Sequence, residues 1–466
     1  MTWKIGTGTL FPANPTEGQK FIDQAVNSIW TYTSGVWLAD QPFTWNHTND
    51  TYVRPTEKAD LRVQSRLRRC VLSNTGVVQY YLDADDSTKK AGDWLRIVET
   101  QSLGTAYTGS TTNETPDTLL RIDVANWAAG TYTLGQRVIH NGSLWECLAT
   151  STTAEPTAGT VASNLTGTDG QIMVEVPAFS VRYTFSNGIH IREIRLGCSN
   201  TLISQGFQPH PAFIKADGTY KAAFYIGAYQ AHNAAGSILG SVSGANNVVN
   251  ITRATARSRA VARGTGWHVH SYLEYAAIQT LLVCEYRDHN SQKVVGNGAQ
   301  EGAVYVVANG LSNARGNRNG NAYTVGGANT DYVSYRGIEN FWGRAWQWVD
   351  GFNVFERVVY LTNNQSAFAD DTSVGYQMYA QVPSGSGSYQ KEIHPFPDVF
   401  LPSVVSGASS TSYLGDAMWT NTGWRVPYVG GFSVFGALVG AFALDLDIDS
   451  GDAYDGLGAR AAYAEN

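Results

Sequence analysis

The chain has 466 residues, a net charge of −7, 15% charged and 12% aromatic side chains, and 48 glycines. Low charge with many aromatics and turn residues excludes a disordered chain and a helical bundle. It fits a mostly β, loop-rich protein of about two to four domains. A net negative chain with no basic stripe beyond the arginines of 253–263 excludes nucleic acid as a partner.

Cys70, Cys147, Cys198 and Cys284 lie far apart and form no CxxC pair. They read as free buried thiols, not as a zinc or redox site. The start, MTWKIGTGTLFPANP, has neither a basic n-region nor an apolar h-region, so no Sec-type signal is expected. The most apolar late run, GGFSVFGALVGAFALDLDID, is interrupted by glycines and aspartates. It is too short for a bilayer, and no membrane insertion is expected.

Residues 1–45 contain SIWTYTSGVWL, an alternating aromatic/polar run around Ser34-Gly35. It predicts a hairpin with Trp30 and Tyr32 on one arm and Trp37 on the other. So small a unit buries little surface alone and leans on a partner or an assembly. Residues 46–120 form a small β region in which VVQYYLDADDSTK reads as a strand and an acidic turn, and TAYTGSTTNETPDT reads as linker.

Residues 121–160 form a second small unit, with strands QRVIH and SLWECLA meeting at Asn141-Gly142. Its Trp127, Tyr132 and Trp145 suit either sugar stacking or a miniature core. Residues 161–170 are linker-like. The run GQIMVEVPAFSVRYTFSNGIHIREIRL then alternates at period two, with Asn187-Gly188 at a turn, and predicts a long β-hairpin. The best helical pattern follows: Thr252 as N-cap, a first helix ending at Gly264–Gly266, and a second over 271–286. From 290 onward short strands and loops dominate.

No GxSxG, HExxH or GxxxxGK[ST] motif occurs. His268, His270 and Glu274 suggest a metal site on paper, but the expected strand-to-helix path does not put them on one helix face, and helix-start polar contacts explain them better. Glu339 and Asp350 could form a glycosidase pair, although structural hydrogen bonding explains them better. Asp445, Asp447 and Asp449 fall on one side of a predicted strand. They stand as a calcium candidate, against the simpler reading of an exposed acidic face. No other cofactor is expected. Phe432, Val434, Phe435 and Leu438 sit in a glycine-rich stretch that lets side chains point outward.

Several pieces recur together over 170–466: GQIMVEVPAFSVRYTFSNG, GFQPHPAFI, FYIGAYQA, the 252–286 helical run, YRGIENFWGRAWQWVDG, FLPSVVSGASSTSYLGDAMWTNTGWRVPYVGG and LGARAAY. This set resembles the phage tail-tip and tail-fibre proteins with a C-type-lectin-like fold, the fold of the major tropism determinant and of the formylglycine-generating enzyme superfamily. The resemblance implies an α+β, mostly β protein: small N-terminal β units, then a lectin-like domain over 170–466 with two helices and many loops. It implies that Asn340, Trp342, Trp346 and Trp348 form a buried signature. It also implies that Gly430 and Gly431, with Gly458, Ala459 and Arg460, frame a ligand-displaying block. Position by position, that gives Phe432, Val434, Phe435, Leu438, Asp447 and Asp449 as receptor-binding candidates. This chain departs from the family there, with apolar residues and aspartates in place of Asn/Ser-rich stretches.

The enzymes of that superfamily need cysteines in this block, and none follows Cys284 here, so an oxidase is excluded on its chemistry. Residues 121–160 are similar to small chitin-binding-type carbohydrate-binding modules, matched by Trp127, Tyr132 and Trp145. The expectation is a non-enzymatic virion protein of the tail tip or fibre. Its partners would be a host cell-surface receptor, glycan or protein, other tail or baseplate proteins, and two further copies in a homotrimer. The alternatives are a structural baseplate or decoration protein, and a glycan depolymerase.

Overall fold

In the computed structural model, residues 61–99, 120–121, 123–186, 189–235 and 237–465 are described, together with the backbone of six short strands within residues 5–52. Strand predominates over helix, as composition predicts. The first hairpin forms between Ser28–Thr33 and Val36–Asp40, with Tyr32 opposite Trp37. The TAYTGSTTNETPDT linker and the turns at Ser34-Gly35 and Asn187-Gly188 lie outside the described residues.

Arg137–His140 and Ser143–Cys147 pair as predicted, and Asn141 and Gly142 take φ of 47° and 77° at the turn. A third strand, Trp94–Arg96, joins them from upstream, placing Trp94 opposite Cys147. Residues 161–165 run against the body: Lys90 N–H donates to Val161 O at 2.8 Å, and Ser163 N–H to Thr88 O at 2.9 Å.

Phe179–Ser186 and Ile189–Leu196 form the predicted hairpin. The preceding strand, Gln171–Pro177, does not extend it. It lies between Arg68–Leu72 and Ala223–Gly227 in a six-stranded sheet that also takes in Trp267–Val269 and Ala461–Tyr463. Period two sets which face each residue takes, not which strand it pairs with.

Thr252 accepts from Thr255 N–H and starts the helix Arg253–Val261. Ser271 and Glu274 form a reciprocal capping box for the helix Tyr272–Tyr286. Every residue of that helix except Cys284 is buried, as expected of a helix that is apolar nearly all round. It lies in the main core with Phe341, Trp342, Phe352 and Phe400. A second core holds Trp346, Trp348, Trp419 and Tyr428. All four cysteines are free thiols; Cys70 and Cys147 are buried, Cys198 and Cys284 half-buried. Among the described residues no helix is long and apolar enough to cross a membrane.

Candidate functional site

Trp342, Trp346 and Trp348 are wholly buried. Trp342 Nε1 donates to Gly296 O at 3.1 Å and Trp348 Nε1 to Ile251 O at 2.8 Å. Trp346 packs edge-on against Tyr428 at 4.7 Å between ring centroids. Asn340 turns the chain at a φ of 50°, and its side chain accepts from Val333 N–H at 3.2 Å.

A second six-stranded sheet carries Trp346–Trp348 between Tyr428–Val429 and Leu457–Gly458. The loop 430–442 leaves this sheet at Gly430-Gly431. A Cβ on Gly431 would sit 2.1 Å from Val439, and its φ is 75°, so only glycine fits the close approach.

The loop is held by its backbone. Ser433 N–H donates to Arg344 O at 3.3 Å and Gly436 N–H to Gln300 O at 2.9 Å. Gln300 Nε2 donates to Val439 O at 2.8 Å. Ala441 N–H donates to Ser291 Oγ at 2.9 Å and Phe442 N–H to Asp416 Oδ2 at 2.7 Å. Tyr275 and Gln279, from the long helix, both donate to Ala441 O, at 2.9 and 2.7 Å. These anchors lie far from the loop in sequence, and no local pattern marks them.

Val434 is 49% exposed. Phe432, Phe435 and Leu438 are half-buried against the second core. Phe435 lies 5.2 Å from Trp419 and 4.9 Å from Phe432 between ring centroids. Phe432, Phe435 and Leu438 form an apolar cap on the tryptophan core, and Val434, next to Phe435 in the chain, is exposed.

The three aspartates do not share one strand face, because the strand Leu444–Leu446 ends before Asp447. Asp445 is buried and hydrogen-bonded to Tyr428, and burial followed by the nearby Asp447 pushes its carboxyl well up. Asp449 is exposed and paired with Arg425. Among the described residues no group of three or more His, Cys, Asp or Glu side chains is arranged to hold a metal ion, so the calcium candidate has no converging ligand set.

His268 Nε2 lies 3.0 Å from each carboxylate oxygen of Glu274. Burial alone would raise the Glu274 carboxyl, but the His268 charge and hydrogen bond outweigh it and hold it at about 2. Glu339 accepts from Gly310 and Ser312 N–H at 2.9 and 2.6 Å, and Asp350 pairs with Arg257 at 2.6 Å. Both carboxylates are buried and engaged.

In the small N-terminal unit Trp145 is buried in a core with Trp94, Val138 and Cys147, while Trp127 and Tyr132 pack against it half-buried. Glu146 binds Arg68 and Arg137, each at 3.0 Å, and Arg68 also binds Glu175 at 3.0 Å. An ionic network thus ties this unit to the first large sheet.

No protein-family model matches the chain, and no curated protein matches it. Among solved structures it is similar to the major tropism determinant I1 variant, at 11% identity and a TM-score of 0.29, over 100% of this chain and 99% of that one. The P3c variant gives 12% and 0.29 over the same shares, and the U1 variant 12% and 0.28. Similarity at this level establishes neither a shared fold nor a shared role.

Proposed function

We propose that the chain is a bacteriophage virion component at the tail tip or fibre, and that it recognises a host cell-surface receptor through side chains displayed between residues 430 and 460. The observation that carries this reading is the anchoring of the loop 430–442. Buried groups elsewhere hold its backbone, so outward side chains such as Val434 are free to serve recognition. Rigid presentation of an apolar cap reduces the ordering cost of binding. The sequence resemblance over 170–466 supplies the setting.

In this reading the chain binds without catalysis, since Glu339 and Asp350 are engaged in buried hydrogen bonds and an ion pair. The unit containing 121–160 acts as a spacer fixed to the body. Other tail or baseplate proteins and two further copies of the chain complete the assembly, where weak single sites gain by multivalency. The test is whether the purified full chain, at saturating concentration, blocks adsorption of virions that carry it. Undiminished adsorption would sink the proposal.

A further inference from the structure

A four-stranded sheet, ordered Gln377–Gln381, Val358–Leu361, Phe352–Phe355, Trp424–Arg425, has two unlike faces. One face places Phe352, Val354, Val359 and Leu361 in the main core. The opposite face follows from the register: Phe355 pairs with both Val358 and Trp424, and Tyr360 with Met378. On it the Trp424 ring lies 4.8 Å from Phe355 and 6.3 Å from Tyr360 between centroids, with interplanar angles of 37° and 42°. Phe355 is 40% and Met378 65% exposed.

The platform is held in place by a strained turn. Glu356 and Arg357 both take the left-handed conformation, at φ of 49° and 65°, which non-glycine residues keep only where the surrounding structure holds them there. The turn is tied to the loop that delivers Trp424: Glu356 N–H donates to Gly423 O at 3.2 Å, and Gly423 N–H to Glu356 Oε1 at 3.0 Å. Gln381, opposite Val358, donates to Glu356 O at 3.3 Å. Glu356, Arg357 and Gln381 therefore lie together at the turn end of the sheet, beside Phe355 and Val358.

We propose that this face binds a neutral pyranose saccharide. Trp424, Phe355 and Tyr360 would stack on the C–H faces of sugar rings, and Glu356, Arg357 and Gln381 would meet the hydroxyl edges. The exposed apolar part of the platform is small: Phe355 and Met378 are its exposed members, while Tyr360 and Trp424 are half-buried. That is too small for a stable protein partner, which needs roughly 800 Å² on each side, and it matches one or two sugar rings. The opposite charges of Glu356 and Arg357 leave the rim without a net sign, which favours a neutral ligand. The site uses other residues than the 430–442 loop and does not rest on the receptor-binding proposal.

The test titrates the full chain with maltohexaose, cellohexaose, mannohexaose, galactohexaose and chitohexaose in N-acetylated form. Binding is read by tryptophan fluorescence and by saturation transfer to sugar ring protons. We expect at least one probe to bind. Trp424→Ala and Met378→Glu should each weaken that probe about tenfold, as for loss of a stacking contact, while Val325→Asp, at an 83% exposed side chain outside this sheet, leaves it unchanged. Met378 is exposed enough that its variant folds even if Trp424→Ala does not. Binding by none of the five, or binding insensitive to Met378→Glu, overturns the proposal. So does an oligomer in sedimentation velocity that Met378→Glu dissociates, since the face would then join copies of the chain. Failure of the wild-type chain to block adsorption, with its sugar binding intact, would count against the 430–460 surface alone.

Discussion

Arg460 Nε donates to Gln347 Oε1 at 2.7 Å, and both side chains are wholly buried. The same guanidinium donates to the carbonyls of Gly227, Glu339 and Asn340 at 2.8, 2.8 and 2.7 Å. Gln347 Nε2 in turn donates to Asn340 O and Phe341 O, each at 3.1 Å. The closing strand, the tryptophan stretch and the first large sheet therefore meet at one buried cation, whose pKa burial pushes down to about 9.

Arg460→Met leaves four buried acceptors without this donor and should cost about 3–5 kcal/mol in urea unfolding. Arg460→Lys should recover little, because a single ammonium cannot reproduce the fork of donors.

Trp346→Ala removes a wholly buried ring from the second core and should cost about 3–5 kcal/mol. Val434→Asp, at the exposed side of the loop, should change stability by no more than about 0.5 kcal/mol. Thermal melts of the two variants check the contrast. A well-folded Trp346→Ala protein that has lost only its ligand would contradict the core assignment.

Asp416 is buried, and desolvation raises its carboxyl from 3.8 to about 7, with the Phe442 N–H bond opposing. Its folded pKa lies above its unfolded one, so the folded state keeps a proton that the unfolded state releases. Its contribution to stability therefore falls as pH rises between 3.8 and about 7 and stays low above that. Asp416→Asn keeps an acceptor for the Phe442 amide and removes the titration. The variant should be near wild type in stability at about pH 4 and more stable by roughly 2–4 kcal/mol at about pH 8. Paired urea titrations at the two pH values cancel the contributions of other groups, including His270, which burial holds at about 3.

Trp94 belongs to the small core around Trp145 despite lying outside 121–160. Trp94→Ala should speed amide exchange across Arg137–Cys147 about as much as Trp145→Ala does, at a local cost of about 3 kcal/mol. Unchanged exchange in that hairpin would mean that the unit stands without its upstream strand.

What was legible in the sequence was local. The cap at Thr252, the helix start at 271 and the turn at Asn141-Gly142 follow from short-range chemistry, whereas the burial of Trp342, Trp346 and Trp348 is an expectation of the family resemblance alone. Pairing between distant strands did not follow. Gln171–Pro177 looked like one arm of a hairpin because alternation carries no information about partners. For the same reason nothing in the sequence marks Trp94–Arg96 as the third strand of the small sheet. The aspartates of 445–449 alternate as one strand face would, but the strand ends at Leu446. The anchors Ser291, Gln300 and Asp416 and the outer face around Trp424 depend on tertiary placement alone.

The most direct test of the central claim is an adsorption competition between virions carrying the chain and two purified full-length proteins, wild type and Val434→Asp. The account predicts that wild type blocks adsorption at saturation, and that Val434→Asp, with an unchanged melting temperature, blocks it far less. Equal blocking by the two proteins, or none by wild type, would contradict it.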